Sequence, residues 1–320
     1  MELRNPCESY DDRVNRPEQY YMGARPHTEK NLAKLPWDTG VLVQDKIDGV
    51  YLRVHVLPDG TKEAFLRSGR PVDWTLLKGL NKAISNFPVD LSAPYFIEGD
   101  VVASYEKTNT FCKREQTAGF INTVTKSGYS PGGVEFHLWM WFKGKPGDSM
   151  MRGTEGAISE ELRQTSPWLW SVVTFLLAHG PRRIEEYAKE KVEYGQIEDE
   201  YGLVNAPRDG IVCKDPDQVW IPGKPAGCVK VKPWKSCAME VTAVTKHTKR
   251  ADMFGALVCM ADHADDKVIV NVGSGLTDND RLKPPAYWVG KTVLVEYEDT
   301  TEPNAKGQRS LTLPRFKGVI

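Results

Sequence analysis

The chain reads as a mixed α+β protein in two parts: a mostly antiparallel first part that carries helices, and a small all-β second part. Two observations carry that reading. Between residues 41 and 232, strand-like apolar runs alternate with turns and helical text. After Pro233, short strands follow one another with no convincing long helix. The change falls at Pro233-Trp234-Lys235-Ser236, so the expected domains are 1–233 and 234–320. A chain of 320 residues is long enough for about two domains with a substantial core.

Taken in order, residues 1 to about 36 are polar and broken by prolines, a leader expected to pack on the first domain. Segments 41–44, 51–57, 64–67, 96–103 and 134–142 are strand-like runs separated by turns, and Pro58-Asp59-Gly60 is a hairpin turn. Residues 75–86 are expected to be helical because Leu76, Leu77, Leu80 and Ile84 fall on one face. Residues 143–156 read as a Gly-rich loop. Residues 159–179 carry helical text interrupted near Pro167, and 181–194 read as a charged helix opened by a proline. Two short strands, 210–214 and 228–232, close the first part. Segments 238–245, 256–260, 267–272, 292–297 and 310–316 then give about five strands in under 90 residues, which suggests a small barrel of the oligonucleotide-binding (OB) type.

Composition narrows the functional classes. Charged residues make up 27% and hydrophobic ones 40%, as in ordinary soluble globular proteins. The net charge is −1, and residues 234–320 hold 12 Lys+Arg against 11 Asp+Glu. Any nucleic-acid surface must therefore be a local patch. The six cysteines are scattered, with no C-x-x-C pair and no histidine spacing that completes a zinc site. They read as reduced thiols in a cytoplasmic protein. No stretch approaches the ~20 apolar residues of a membrane span, and the start lacks an apolar signal core.

The chemistry concentrates in a series of short fragments. Lys46-Ile47-Asp48-Gly49 places a lysine at a tight turn between two apolar runs, where it can serve as a nucleophile once deprotonated; a surface hairpin lysine is the plain alternative. Arg67-Ser68-Gly69-Arg70, Glu98-Gly99-Asp100, Phe136-His137-Leu138-Trp139 and Asp209-Gly210-Ile211-Val212-Cys213-Lys214 follow. In Val229-Lys230-Val231-Lys232-Pro233, alternation puts both amines on one strand face, where two cations can neutralise a phosphate. An edge strand with two solvated lysines is the competing reading. Gln44 lies two residues before Lys46 on the same face and can offer both a donor and an acceptor to a base edge.

In this order the six fragments resemble the covalent nucleotidyltransferases: ATP-dependent DNA ligases, RNA ligases and mRNA capping enzymes. The resemblance covers roughly residues 40–235 and extends into the barrel. Gly210-Ile211-Val212-Cys213-Lys214-Asp215-Pro216, the Lys-x-Lys-Pro block and Val272-Gly273-Ser274-Gly275-Leu276-Thr277 are most similar to the short bacteriophage-type DNA ligases. The resemblance implies a nucleotidyltransferase (ATP-grasp-like adenylation) domain of antiparallel sheets followed by an OB-fold β-barrel. It implies sealing of 3′-OH/5′-phosphate nicks in duplex DNA with ATP and Mg²⁺, through AMP carried on Lys46. Lys230 and Lys232 would act with Lys46 in catalysis. Asp48 and Gly49 belong to the nucleotide site with Gln44. Asp100 and Asp209 stand where the family usually has glutamates and would face the nucleotide or hold Mg²⁺, with Glu98 as a longer-armed carboxylate beside them. Trp139 would stack on adenine, with Trp141 as the alternative on the same face. Arg67 would contact ribose or the nick 5′-phosphate.

Two departures stand out. Tyr51 occupies the place, five residues after the lysine, where the family commonly has arginine, so Arg53 is expected to supply that guanidinium. The chain stops at Arg315-Phe316-Lys317-Gly318-Val319-Ile320, without the terminal Arg-x-Asp-Lys block of cellular DNA ligases. In the barrel, Lys246, Lys249 and Arg250 are the candidate phosphate contacts, and Gly273, Ser274 and Gly275 would allow close backbone approach to DNA. Solvated loops and tight turns are the plain alternatives. The expected setting is a monomer with no obligate protein partner and no membrane, in the cytoplasm of a phage-infected cell. An RNA ligase, a capping-type enzyme or a nick-binding protein without catalysis are the rival readings.

Overall fold

The computed structural model describes residues 21–145, 147–157, 166–172, 174–177, 180–193, 197–199, 202–204, 207–248, 250–263, 266–301, 303–304 and 307–320. The chain divides into one unit ending at Lys232 and a second spanning Pro233–Ile320. The main strands of the first unit are β1 (Val41–Ile47), β2 (Val50–Val56), β3 (Lys62–Leu66), β4 (Tyr95–Tyr105), β5 (Val134–Gly144), β6 (Arg208–Lys214) and β7 (Cys228–Val231). Its main helices are α1 (Leu80–Ser85), α2 (Arg114–Ser127), α3 (Met150–Ala157) and α4 (Ile184–Glu193).

One sheet runs in the order Pro71–Val72, β3, β2, β4, β5, Leu169–Ser171. Thr110–Phe111 pairs with the end of β4. A second sheet runs Arg25–Pro26, β7, β6, β1, Thr174–Leu177. β1 and β2 are joined by Asp48-Gly49 alone, yet they lie in different sheets. Gly49 permits this: a Cβ there would come within 2.8 Å of Val101 O and 2.9 Å of Asp100 Cβ. Lys46, next to last in β1, is thereby delivered to the seam between the sheets. Leu52, Val54, Leu80, Ile121, Phe136 and Leu138 fill the core over the first sheet. Val41, Val43, Ile184, Ala188, Ile211 and Val231 fill the core under the second.

Helix α2 lies where the sequence pattern is silent. It buries only Thr117, Ile121 and Val124, so its apolar stripe is thin. Its ends were the readable signals: Gln116 Oε1 accepts from the Lys113 N–H (3.0 Å), and Gly128 takes the left-handed φ of 67°. From residue 150 the expected loop 143–156 is instead helix α3, which runs to Ala157. The expected helix 75–86 is split by Gly79 (φ 84°) into a 3-10 turn, Trp74–Leu76, and α1. The expected helical text of 159–179 forms strands Leu169–Ser171 and Thr174–Leu177, because β5 and β1 offer edges for them to pair with. Residues 159–165, 173 and 178–179 of that segment lie outside the described residues, as do residues 1–20 of the leader.

The second unit contains β8 (Lys235–Lys246), β9 (Phe254–His263), β10 (Asp266–Val272), β11 (Thr292–Tyr297) and β12 (Arg315–Val319). The sheet order is Gln308–Arg309, β10, β9, β8, β11, β12. Met239, Val241, Leu257, Val270, Trp288 and Val293 form its own core. The expected barrel is not fully closed among the described residues. A single parallel bridge, Ser274 to Arg315, joins the end of β10 to β12, with Phe316 N–H donating to Ser274 C=O at 2.8 Å.

Candidate functional site

The arrangement begins with a bulge. β6 pairs antiparallel with β1, Arg208 opposite Ile47 and Gly210 opposite Lys46, so Asp209 is the unpaired extra residue. Such a bulge re-aims its side chain. Asp209 consequently reaches across two strands: Lys46 Nζ lies 2.7 Å from its Oδ1 and Lys232 Nζ 2.7 Å from its Oδ2. Gly210 sits at φ 140°, and a Cβ there would overlap Val231 O of β7. One step away in sequence, Asp45 is buried behind the sheet, 2.8 Å from Arg208 Nε and 3.5 Å from Lys191 Nζ of α4. That ionic knot ties β1 to β6 and α4. An aspartate inside an apolar strand was its only sequence signal.

Two further carboxylates surround Lys46. Burial, opposed by Lys46 and reinforced by Asp209, pushes the Asp100 carboxyl up to about 6. Burial also raises Asp48, with the Asp209 charge adding to it. Carboxylate oxygens of this kind suit Mg²⁺. Among the described residues no group of three or more His, Cys, Asp or Glu side chains forms a ready cage. With so few carboxylates, a Mg²⁺ here would take most of its shell from water and substrate phosphate.

Lys46, Lys232 and Asp100 border a cavity of about 470 Å³ at the seam of the two sheets. Gln44, Lys46, Lys214, Lys230 and Lys232 line it from the second sheet, and Tyr51, Arg67, Asp100 and Trp141 from the first. Cations outnumber carboxylates on its wall, which suits a polyphosphate. Gln44 Nε2 has Thr174 Oγ1 at 3.1 Å and Trp141 O and Thr154 Oγ1 at 3.3 Å as acceptors that share its two hydrogens, so its amide is pre-oriented.

Three expected site residues are elsewhere. Trp139 is buried, stacked on Trp170 at 5.2 Å and packed with Ile47 and Val172. Trp141, on the same face and packed against that cluster, lines the cavity instead: Trp170 covers Trp139, while Trp141 is the unpaired residue between Met140, opposite Gly99, and Phe142, opposite Glu98. Arg53 is buried too, with its guanidinium 4.7 Å from each of the Tyr21, Phe96 and Trp220 rings and its Nη2 2.6 Å from Glu98 Oε1. Glu98, fully buried, accepts from Arg53, from Tyr51 Oη and from Trp220 Nε1 (3.0 Å). Arg53 and Glu98 are thus partners in a buried pair behind the cavity wall, and Tyr51 is the residue of that network that reaches the cavity.

Sequence reasoning also passed over Lys214, whose ammonium lies 4.2 Å from the centre of the Trp141 ring and is made less basic by burial. It missed Arg114, the first residue of α2, and Lys224, both on the cavity wall. Arg114 and Lys224 stand isolated in unremarkable text, whereas Lys214 closes the Asp209–Lys214 fragment and had a signal that was not used.

In the second unit Lys246 ends β8 and is exposed. Arg250 is engaged by Asp252 (3.1 Å) and Asp278 (3.3 Å). Lys249 lies outside the described residues. Gly275 (φ 86°) is needed by its own unit, because a Cβ there would overlap Phe316 O. A Cβ on Gly273 would meet nothing nearer than 3.5 Å, so close packing does not demand glycine there. Ser274 uses its carbonyl to bridge to β12.

Comparison with known proteins agrees with this architecture. Residues 247–319 match the family model described as DNA ligase OB-like domain. The fold is similar to the solved structure Pmar-Lig_Pre, with a TM-score of 0.65 and 18% identity over 93% of this chain and 66% of that one. A Lig E DNA ligase structure gives 0.54 and 17% over 93% and 98%. The ATP-dependent DNA ligase of bacteriophage T7, in complex with ATP, gives 0.50 and 11% over 96% and 100%. The chain spans about two thirds of the length of Pmar-Lig_Pre. No curated protein matches it. The fold is that of the ATP-dependent DNA ligases.

Proposed function

We propose that this chain is an ATP-dependent DNA ligase of the short bacteriophage type, which seals 3′-OH/5′-phosphate nicks in duplex DNA. The observation that carries the reading is the Lys46–Asp209–Lys232 clamp at the edge of a cationic cavity, in a chain that also carries a DNA ligase OB-like domain. On this reading residues up to 233 form the adenylation domain and 234–320 the DNA-binding domain.

ATP enters as a substrate. Gln44 meets the adenine edge and Trp141 offers the stacking face. Lys46 gives up its contact with Asp209 and passes a proton to solvent water, and its neutral Nζ attacks the α-phosphorus. The N–P bond forms as the bond from α-phosphorus to the bridging oxygen breaks and pyrophosphate leaves. Lys230 and Lys232 hold the charge that builds on the α-phosphate oxygens. Mg²⁺, held by Asp100 and Asp209, would supply further charge neutralisation. AMP then passes from Lys46 to the 5′-phosphate of the nick. The 3′-hydroxyl attacks that activated phosphate, a phosphodiester forms and AMP departs. Lys246 and the 273–275 segment are the proposed backbone contacts of the second unit.

The test is incubation of the protein with α-labelled ATP and Mg²⁺. Covalent label is expected on wild type and on Lys189→Ala, an exposed helix position paired only with Glu193 among the described ion pairs. Label is expected to vanish in Lys46→Ala. An unlabelled wild-type protein would refute the reading. Nicked DNA compared with single-stranded RNA as acceptor separates it from the RNA-ligase alternative.

A further inference from the structure

One wall of the cavity comes from residues 21–26, the segment just ahead of the first main strand. This strap is stitched down at several points. Gly23 N–H donates to Gly223 C=O (2.6 Å), Gly223 N–H donates to Tyr21 C=O (2.9 Å), and Arg25 Nε donates to the carbonyls of Lys224 (2.9 Å) and Pro225 (3.1 Å). Arg25–Pro26 pairs in parallel with Val229–Lys230 of β7.

Arg67 rests on this strap. Its guanidinium lies over the Tyr51 ring, 5.6 Å from the centroid, and its hydrogen bond to the strap is long, 3.5 Å from Nη2 to Met22 O. It is held chiefly by shape, with N–H donors to spare. Gly23 provides that shape. A Cβ on Gly23 would fall on Arg67 Nη2, and the next nearest group would be Lys224 Cγ at 3.7 Å. Gly23 does not occupy the left-handed region, so its backbone could belong to any residue. The missing side chain is required by the guanidinium, not by the chain path.

We propose that Gly23 is a positioning residue: the bare backbone of the strap seats the Arg67 fork on Tyr51, and Lys224 beside it completes an anion site for the 5′-phosphate of the substrate strand. The identity of that phosphate rests on the ligase reading; the seating of Arg67 by Gly23 does not. An arginine fork binds a phosphate through two parallel N–H donors, so displacing it by little more than a methyl group breaks one of them. The far end of the arginine can swing aside, so Gly23→Ala is expected to fold.

The experiment uses the full chain and separates two steps: labelling of Lys46 by α-labelled ATP, and sealing of a nicked duplex that already carries the 5′-adenylate. Gly23→Ala is expected to slow sealing at low DNA concentration about tenfold, as Arg67→Ala does, with the loss falling more on sealing than on labelling. The double variant should be no slower than the slower single one, because both remove the same contact. Lys224→Ala should raise the KM for nicked duplex. Wild-type sealing by Gly23→Ala, or losses that multiply in the double variant, would overturn the proposal. If Gly23→Ala loses its cooperative melt, Tyr51→Leu serves instead: it removes the ring beneath Arg67 and should slow the same step, and unchanged sealing counts equally against the proposal. A failure of the ligase reading itself looks different, since wild-type protein would then carry no label.

Discussion

Two tryptophans, two residues apart on β5, show how far a single side chain can be read from its neighbours. Strict alternation places Trp139 and Trp141 on one face, and the family resemblance favoured Trp139 for the nucleotide. They do share that face, but Trp170, Ile47 and Val172 cover Trp139 and leave Trp141 to line the cavity. Substitution should separate the two. Trp141→Ala is expected to keep the fold and raise the KM for ATP about tenfold, because base–aromatic stacking is worth about 1–3 kcal/mol. Trp139→Ala is expected to lower unfolding stability by about 3–5 kcal/mol through the cavity it leaves. Denaturant titration alongside the labelling assay checks both, and the opposite pattern would restore Trp139 to the site. Arg53 is a similar case. Its spacing from Lys46 pointed to the nucleotide, but only the partner strand could reveal that Glu98 waits opposite it.

At the scale of elements, the site depends on irregularities more than on regular strands. β6 delivers Asp209 to both lysines because its ladder with β1 skips a residue, and Gly210 makes room for the skip against β7. Gly210→Ala combines a disfavoured φ with an overlap on Val231 O. It should lower stability by about 1–3 kcal/mol and reduce labelling of Lys46 by pulling Asp209 and its strand out of register. Circular-dichroism melts and the labelling rate test this together; a variant as stable and active as wild type would show that the bulge is dispensable. Strand positions around the site were mostly legible from apolar runs and turn residues. Helix α2 was not, because its buried face is thin and its threonines and glycine carry little helical preference.

For the whole molecule, the two units have separate cores, so the seam between the two sheets of the first unit can be argued without reference to the second. Acid stability is a property of that first unit's interior. His55 sits near Phe65 and Phe96, and His137 is bonded by Ser104 and Trp170. Burial lowers His55 to about 3 and His137 to about 4, from an ordinary value of 6.5. The unfolded chain therefore takes up these protons first. The stability they support is complete above pH 6.5 and is lost as pH falls toward 4 and then 3. Each histidine contributes a slope of about 1.4 kcal/mol per pH unit within its window. Unfolding free energies measured from pH 7 to 4 should fall less steeply in His137→Gln than in wild type. Equal slopes would mean that the ring is not neutral in the fold.

The α+β class, the break near residue 233, the lysine at a tight turn and the paired lysines of β7 are all written in local text, because apolar period, turn residues and strand alternation are local. Which aromatic lines the cavity, that Arg53 belongs to Glu98, and that residues 21–26 form a wall came only with the folded chain. Those outcomes, like the aim of Asp209 at its bulge, hang on contacts between strands far apart in the chain. A ladder that slips by one residue changes which way side chains point without leaving a mark in the local text.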